Sequence, residues 1–75
     1  MAKKNKSADS VYKITEVIGT SSTSWEEAAK RAVETASRTL RGLRVAEIVK
    51  LDVKVENGRV AAYRTRVALS FKYES

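Results

Sequence analysis

The sequence contains no cysteine and no histidine. Disulfide staples, Cys/His zinc sites and thiol or imidazole catalysis are therefore excluded by inventory. No apolar run approaches the length of a bilayer span, and the Lys-rich start leads into polar residues instead of a signal-peptide apolar core. These absences imply a cytoplasmic protein without a membrane partner. A chain of 75 residues makes one domain at most, in the size range where a single core is marginal unless supplemented. With disulfides and zinc excluded, oligomerisation is the supplement that remains.

Acidic residues are also in the minority. The formal charge is +6, which raises nucleic acid, anionic lipid and phosphate-bearing small molecules as partners. Lys3, Lys4, Lys6 and Asp9 supply +2 of that, three cations less one anion. The remaining cations are dispersed among Glu and Asp, a pattern that serves solubility, and nucleic acid is not expected as a partner.

What is present reads as two units. Residues 1–10 (MAKKNKSADS) are polar and aperiodic, a mobile basic tail, and residues 11–75 form the domain. VYKITEVI, from Val11, carries β-branched and aromatic residues in partial alternation, with Tyr12, Ile14 and Ile18 on one face and Val11, Thr15 and Val17 on the other. Residues 19–24 (GTSSTS) read as a turn. Ser24 and Glu27 have capping-box spacing, so a helix starts at Trp25. Its stripe is Trp25, Ala28, Ala29, Ala32, Val33, Ala36 and Leu40, with Arg38 and Arg41 in the last turn and Gly42 at its end. The stripe is mostly alanine, so the helix lies close to a sheet but buries little area.

Arg44 to Glu56 then alternates, with Val49, Leu51, Val53 and Val55 on one face and Lys50, Asp52, Lys54 and Glu56 on the other. Arg59 to Tyr73 repeats the pattern, with Tyr63 and Tyr73 among its apolar positions. Asn57-Gly58 between them is a strong hairpin signal. A plain two-residue turn would place Leu51 opposite Arg64 and mix the faces. A three-residue loop or a bulge at Arg59 restores the match and sets Asp52 opposite Arg64. The two strands run roughly 40 Å at about 3.3 Å per residue, whereas a helix of some seventeen residues covers only about 26 Å. Part of the apolar strand face must find cover on a second chain.

Several short segments, taken in order, resemble the dodecins: Val11-Tyr12-Lys13, Gly19-Thr20-Ser21, Thr39-Leu40-Arg41 with Leu43, Glu47, Gly58 with Val60, Tyr63, and Ser70-Phe71. The resemblance implies an α+β fold of β-α-β-β order, in which a three-stranded antiparallel sheet partly wraps one helix and twelve copies close into a hollow shell. It also implies flavin, as flavin mononucleotide or riboflavin, bound as stacked pairs for storage or protection. The position of the family's flavin-stacking Trp is Val45, and that of its Gln contact is Arg64. Valine has no π-face, and an arginine donates hydrogen bonds but accepts none, so flavin binding is expected to be weakened or lost. The stretch from Gly19 to Ala29, Leu43-Arg44-Val45-Ala46 and Ser70-Phe71-Lys72 resemble the calcium-dodecin branch more closely, which brings in calcium and a mainly structural role.

A calcium site takes about six to eight oxygens. The candidates are Glu47, Asp52 and Glu56, gathered from several subunits by symmetry; the alternative is that Asp52 pairs with Arg64 and the two glutamates make ordinary ion pairs. Trp25 reads as a core or interface anchor. Lys50, Lys54, Arg64 and Arg66 share one face that could hold a phosphate-bearing ligand if it lines a cavity. No Ser or carboxylate arrangement marks a catalytic site, and the chain reads as a non-enzymatic shell protein that sequesters a small ligand or ion.

Overall fold

The computed structural model describes residues 11–72, so the tail and Tyr73 lie outside it. Four elements follow one another: β1 (Tyr12–Ser21), α1 (Trp25–Ser37), β2 (Leu43–Glu56) and β3 (Arg59–Lys72). The strands form one antiparallel sheet in the order β1-β3-β2, with the last strand in the centre. The β-α-β-β order and the single helix against a three-stranded sheet are those expected from the sequence.

β1 runs farther than its apolar residues suggest. Gly19, Thr20 and Ser21, expected in a turn, stay in the sheet opposite Thr65, Arg64 and Tyr63. The turn begins only after Ser21, whose Oγ accepts from the main-chain N–H of Thr23 at 2.9 Å and of Ser24 at 3.4 Å. Gly19 is needed where it stands: a Cβ there would lie 2.0 Å from the carbonyl oxygen of Ala28. The helix backbone therefore seats directly on β1.

Ser24 caps α1 by accepting from the Glu27 N–H at 3.0 Å. The reciprocal half of the capping box does not form, because the Glu27 carboxylate turns to Arg31 at 3.3 Å and the Ser24 N–H goes to Ser21. The helix also ends earlier than expected, at Ser37, with no basic residue in its last turn. Local hydroxyls compete for its final carbonyls: Ser37 Oγ donates to Glu34 O at 3.0 Å and Thr39 Oγ1 to Ala36 O at 3.5 Å. Gly42, at φ 76°, turns the chain into β2 instead of closing the helix.

Asn57 and Gly58 both have positive φ, 53° and 74°, the requirement of a two-residue type I′ hairpin. Glu56 therefore does pair with Arg59. The slip that aligns the faces lies inside the ladder, where Val55 pairs with Val60 and Lys54 with Ala62, leaving Ala61 extra. Asp52 then falls opposite Arg64, as expected. A further slip between Ile48 and Lys50 corrects the reading of β2: Ile48 lies opposite the buried Val67, and Val49 is the extra residue instead of a member of the Leu51, Val53, Val55 face.

The core is thin. Ala32 and Ala36 meet Val67, Leu69 and Phe71, with Val17, Ala29, Val33 and Leu43 at the margin. Leu51, Val55 and Val60 remain exposed on the hairpin, and Tyr12, Ile14 and Ile18 on β1. The subunit extends 60 × 20 × 16 Å with a radius of gyration of 15.8 Å. A compact domain of this length would have one of about 11 Å.

Candidate functional site

Pairing partners share a face, so the register divides the sheet. Tyr63, Thr65, Val67, Leu69 and Phe71 of β3 look toward α1, and Arg64, Arg66, Ala68 and Ser70 look away from it. On this outer face three rows run across the strands: Ile14, Ser70 and Val45; Glu16, Ala68 and Glu47; Ile18, Arg66 and Lys50. A fourth row holds Thr20, Arg64 and Asp52.

The fourth row carries the best-defined polar contact. Arg64 Nε donates to Asp52 Oδ1 at 2.8 Å and Nη2 to Oδ2 at 3.2 Å, a forked pair half-open to solvent. The hydrogen bond from Arg64 holds the Asp52 carboxyl below its usual value of 3.8; desolvation, the next influence, opposes it, and the charges of Arg64, Lys50 and Arg66 add to the lowering. Arg64 is raised in turn, first by that hydrogen bond. From the opposite face Trp25 Nε1 donates to the Asp52 main-chain carbonyl at 2.9 Å. Thr65 Oγ1 donates to Trp25 O at 2.9 Å, and the Trp25 ring meets Tyr63 edge-on at 5.1 Å and 74°. Trp25, 37% exposed, thus anchors the start of α1 to both hairpin strands.

The candidate positions are spread along the face. Val45 is 53% exposed beside Ser70, and two rows separate it from Arg64. Its side chain is aliphatic, and Arg64 has committed one fork of its guanidinium to Asp52. Glu47 lies across Ala68 from Glu16, about 10 Å apart at Cα by two interstrand spacings. Glu56 sits at the hairpin end, 3.4 Å from Lys54. Among the described residues no three carboxylates converge, and both Asp52 oxygens are engaged. The described residues of one subunit do not by themselves provide a calcium shell. Glu16, 3.7 Å from Arg66, belongs to this face but was missing from the sequence reading; its even position in β1 was the available signal.

A small antiparallel β-α-β-β subunit with exposed apolar strands is of the class that completes its core against further chains. The dodecin family profile matches residues 11–74. A calcium dodecin of Mycobacterium tuberculosis is 43% identical over 63 residues, which cover 84% of this chain and 89% of that protein. The dodecin of Streptomyces coelicolor superposes with a TM-score of 0.82 at 35% identity, covering 91% of this chain and 97% of that one. The crystal structure of the M. tuberculosis calcium dodecin, described as a calcium-chelating immunodominant antigen with a novel calcium-binding site, gives 0.77 at 42% identity, covering 87% and 93%. The chain belongs to the dodecin family.

Proposed function

We propose that the chain is a subunit of a closed homododecameric shell that binds or sequesters a small ligand or ion without turning it over, and that flavin binding is weakened or lost. The observation that carries the assembly is apolar surface the subunit cannot cover: Leu51, Val55 and Val60 stand exposed on a hairpin that outruns a 13-residue helix. Exposed apolar strands at this density mark an interface. Val45 and the committed Arg64 support the reading on flavin, since they withhold both the stacking wall and the amide-like contact. No residue group on the described surface supports catalysis, and no described helix is long and apolar enough to cross a membrane.

Size-exclusion chromatography with light scattering is expected to give about twelve protomers, and a monodisperse monomer would reject the shell. Titration with flavin mononucleotide separates the ligand readings, because strong stoichiometric quenching of its fluorescence would mean that Val45 does not prevent binding and that flavin storage is the function.

A second reading is favoured by the 43% identity to a calcium dodecin: a calcium-binding shell in which the ion has a mainly structural role. Glu47, Asp52 and Glu56 would contribute from several subunits, with Asp52 released from Arg64. Elemental analysis and melts with and without chelator test it. Metal-free protein whose melting temperature ignores chelator rules this reading out.

A further inference from the structure

Four cations, Lys50, Lys54, Arg64 and Arg66, stand on one sheet face within a few residues of one another. Such a cluster ordinarily attracts phosphate-bearing molecules. Here three of the four face a carboxylate of the same subunit: Arg64 meets Asp52 at 2.8 Å, Lys54 meets Glu56 at 3.4 Å and Arg66 meets Glu16 at 3.7 Å. The contacts differ in kind. Those of Lys54 and Arg66 are long single approaches between exposed side chains, which salt and rotamer freedom readily loosen. The Arg64 contact uses Nε and Nη2 together on both oxygens of Asp52, and that edge of the guanidinium is one that grips a phosphate in fork geometry. Asp52 is itself fixed, because its main-chain carbonyl accepts the Trp25 indole.

We propose that Asp52 determines the ligand selectivity of this face: by occupying Arg64 it denies polyanions the forked contact that the cation cluster would otherwise offer. The face therefore favours uncharged or cationic small ligands over phosphate-bearing ones, and the acidic side chain, not the count of basic ones, sets its preference. Asp52 is a positioning residue, acting through Arg64. The inference deepens the ligand-binding reading above, but its test reads anion affinity directly and is scored apart from subunit number and flavin titration.

The experiment is calorimetric titration of inorganic pyrophosphate into the full chain and its variants. Asp52→Asn keeps the side-chain size and the carbonyl used by Trp25, and is expected to raise pyrophosphate affinity at least fivefold, with the gain shrinking as salt rises. Adding Arg64→Gln to that variant is expected to abolish the gain, and Asp52→Glu to preserve the wild-type refusal. Glu16→Gln alone removes the same charge from the same face without freeing a fork, is expected to raise pyrophosphate affinity less than twofold, and does not depend on the Asp52 variants folding. A gain below fivefold in folded Asp52→Asn, or a gain beyond twofold in Glu16→Gln, overturns the proposal.

Discussion

The indole of Trp25, the first residue of α1, donates to the main-chain carbonyl of Asp52, 27 positions away in sequence, at 2.9 Å. This bond ties the helix start to an edge strand that α1 otherwise scarcely touches. Trp25→Phe removes the donor and keeps most of the ring. The expected loss is about 1 kcal/mol of subunit stability, read as a lower denaturant midpoint, with Trp25→Ala losing more because the contact with Tyr63 goes too.

Gly19 gives a sharper effect from a smaller change. Its missing Cβ is the space occupied by the Ala28 carbonyl, and Ala32 closes the same gap from the next turn of the helix. Gly19→Ala would push α1 off β1 and is expected to destabilise by about 1–3 kcal/mol. Thermal melts should show it, and a melting temperature equal to wild type would mean that the helix seat is not rigid.

Acid should weaken the protein through Asp52. Its folded pKa is lowered, so the unfolded chain takes up the proton first as pH falls. The stability carried by the pair is fully present above the ordinary carboxylate range and is lost as pH drops through the lowered value. Melting temperature should therefore fall below about pH 4 more steeply in wild type than in Arg64→Gln, where Asp52 lacks its main partner.

Val45→Trp supplies an aromatic wall at the position where the family resemblance places a flavin-stacking Trp. A stacked pair contributes roughly 0.5–1.5 kcal/mol beyond area burial, which corresponds to about two- to tenfold in affinity. Quenching of flavin mononucleotide by this variant is expected to exceed that of wild type by such a factor. Arg64→Gln in the same chain should add to it.

Val55, 59% exposed at the far end of the hairpin, tests assembly. Val55→Lys places a charge where a neighbouring subunit is expected to lie, and the defect recurs in every copy. Light scattering should report smaller species, while circular dichroism of the subunit stays close to wild type.

The register at Asp52 and Arg64 was legible because strand parity leaves few choices: one slip mixes the faces and the next one sorts them. The location of the slip was not, since Asn57 and Gly58 close the turn in two residues and the excess moves inward to Ala61. The Val49 bulge was hidden for a related reason. Ile48 and Val49 are both apolar and β-branched, so either fits the inward position, and only pairing with Val67 decides. The end of α1 escaped because the apolar spacing continues to Leu40 while the hydroxyls of Ser37 and Thr39 undo the last turn. On the outer face, Glu16 was passed over in a segment read for its apolar residues, although it is the partner of Arg66.

The position of β3 also sets an order of events. It is the last of the described elements and the centre of the sheet, so β1 and β2 lack their native strand partner while they emerge from a ribosome. Until β3 is made, neither outer strand has its native partner; the β2–β3 hairpin then closes locally from Asn57-Gly58, whereas the β1–β3 contacts span long sequence distances, the shortest joining Ser21 to Tyr63. The apolar strands spend that interval without partners, and nearby copies of the same chain on one message are the first surfaces they can meet.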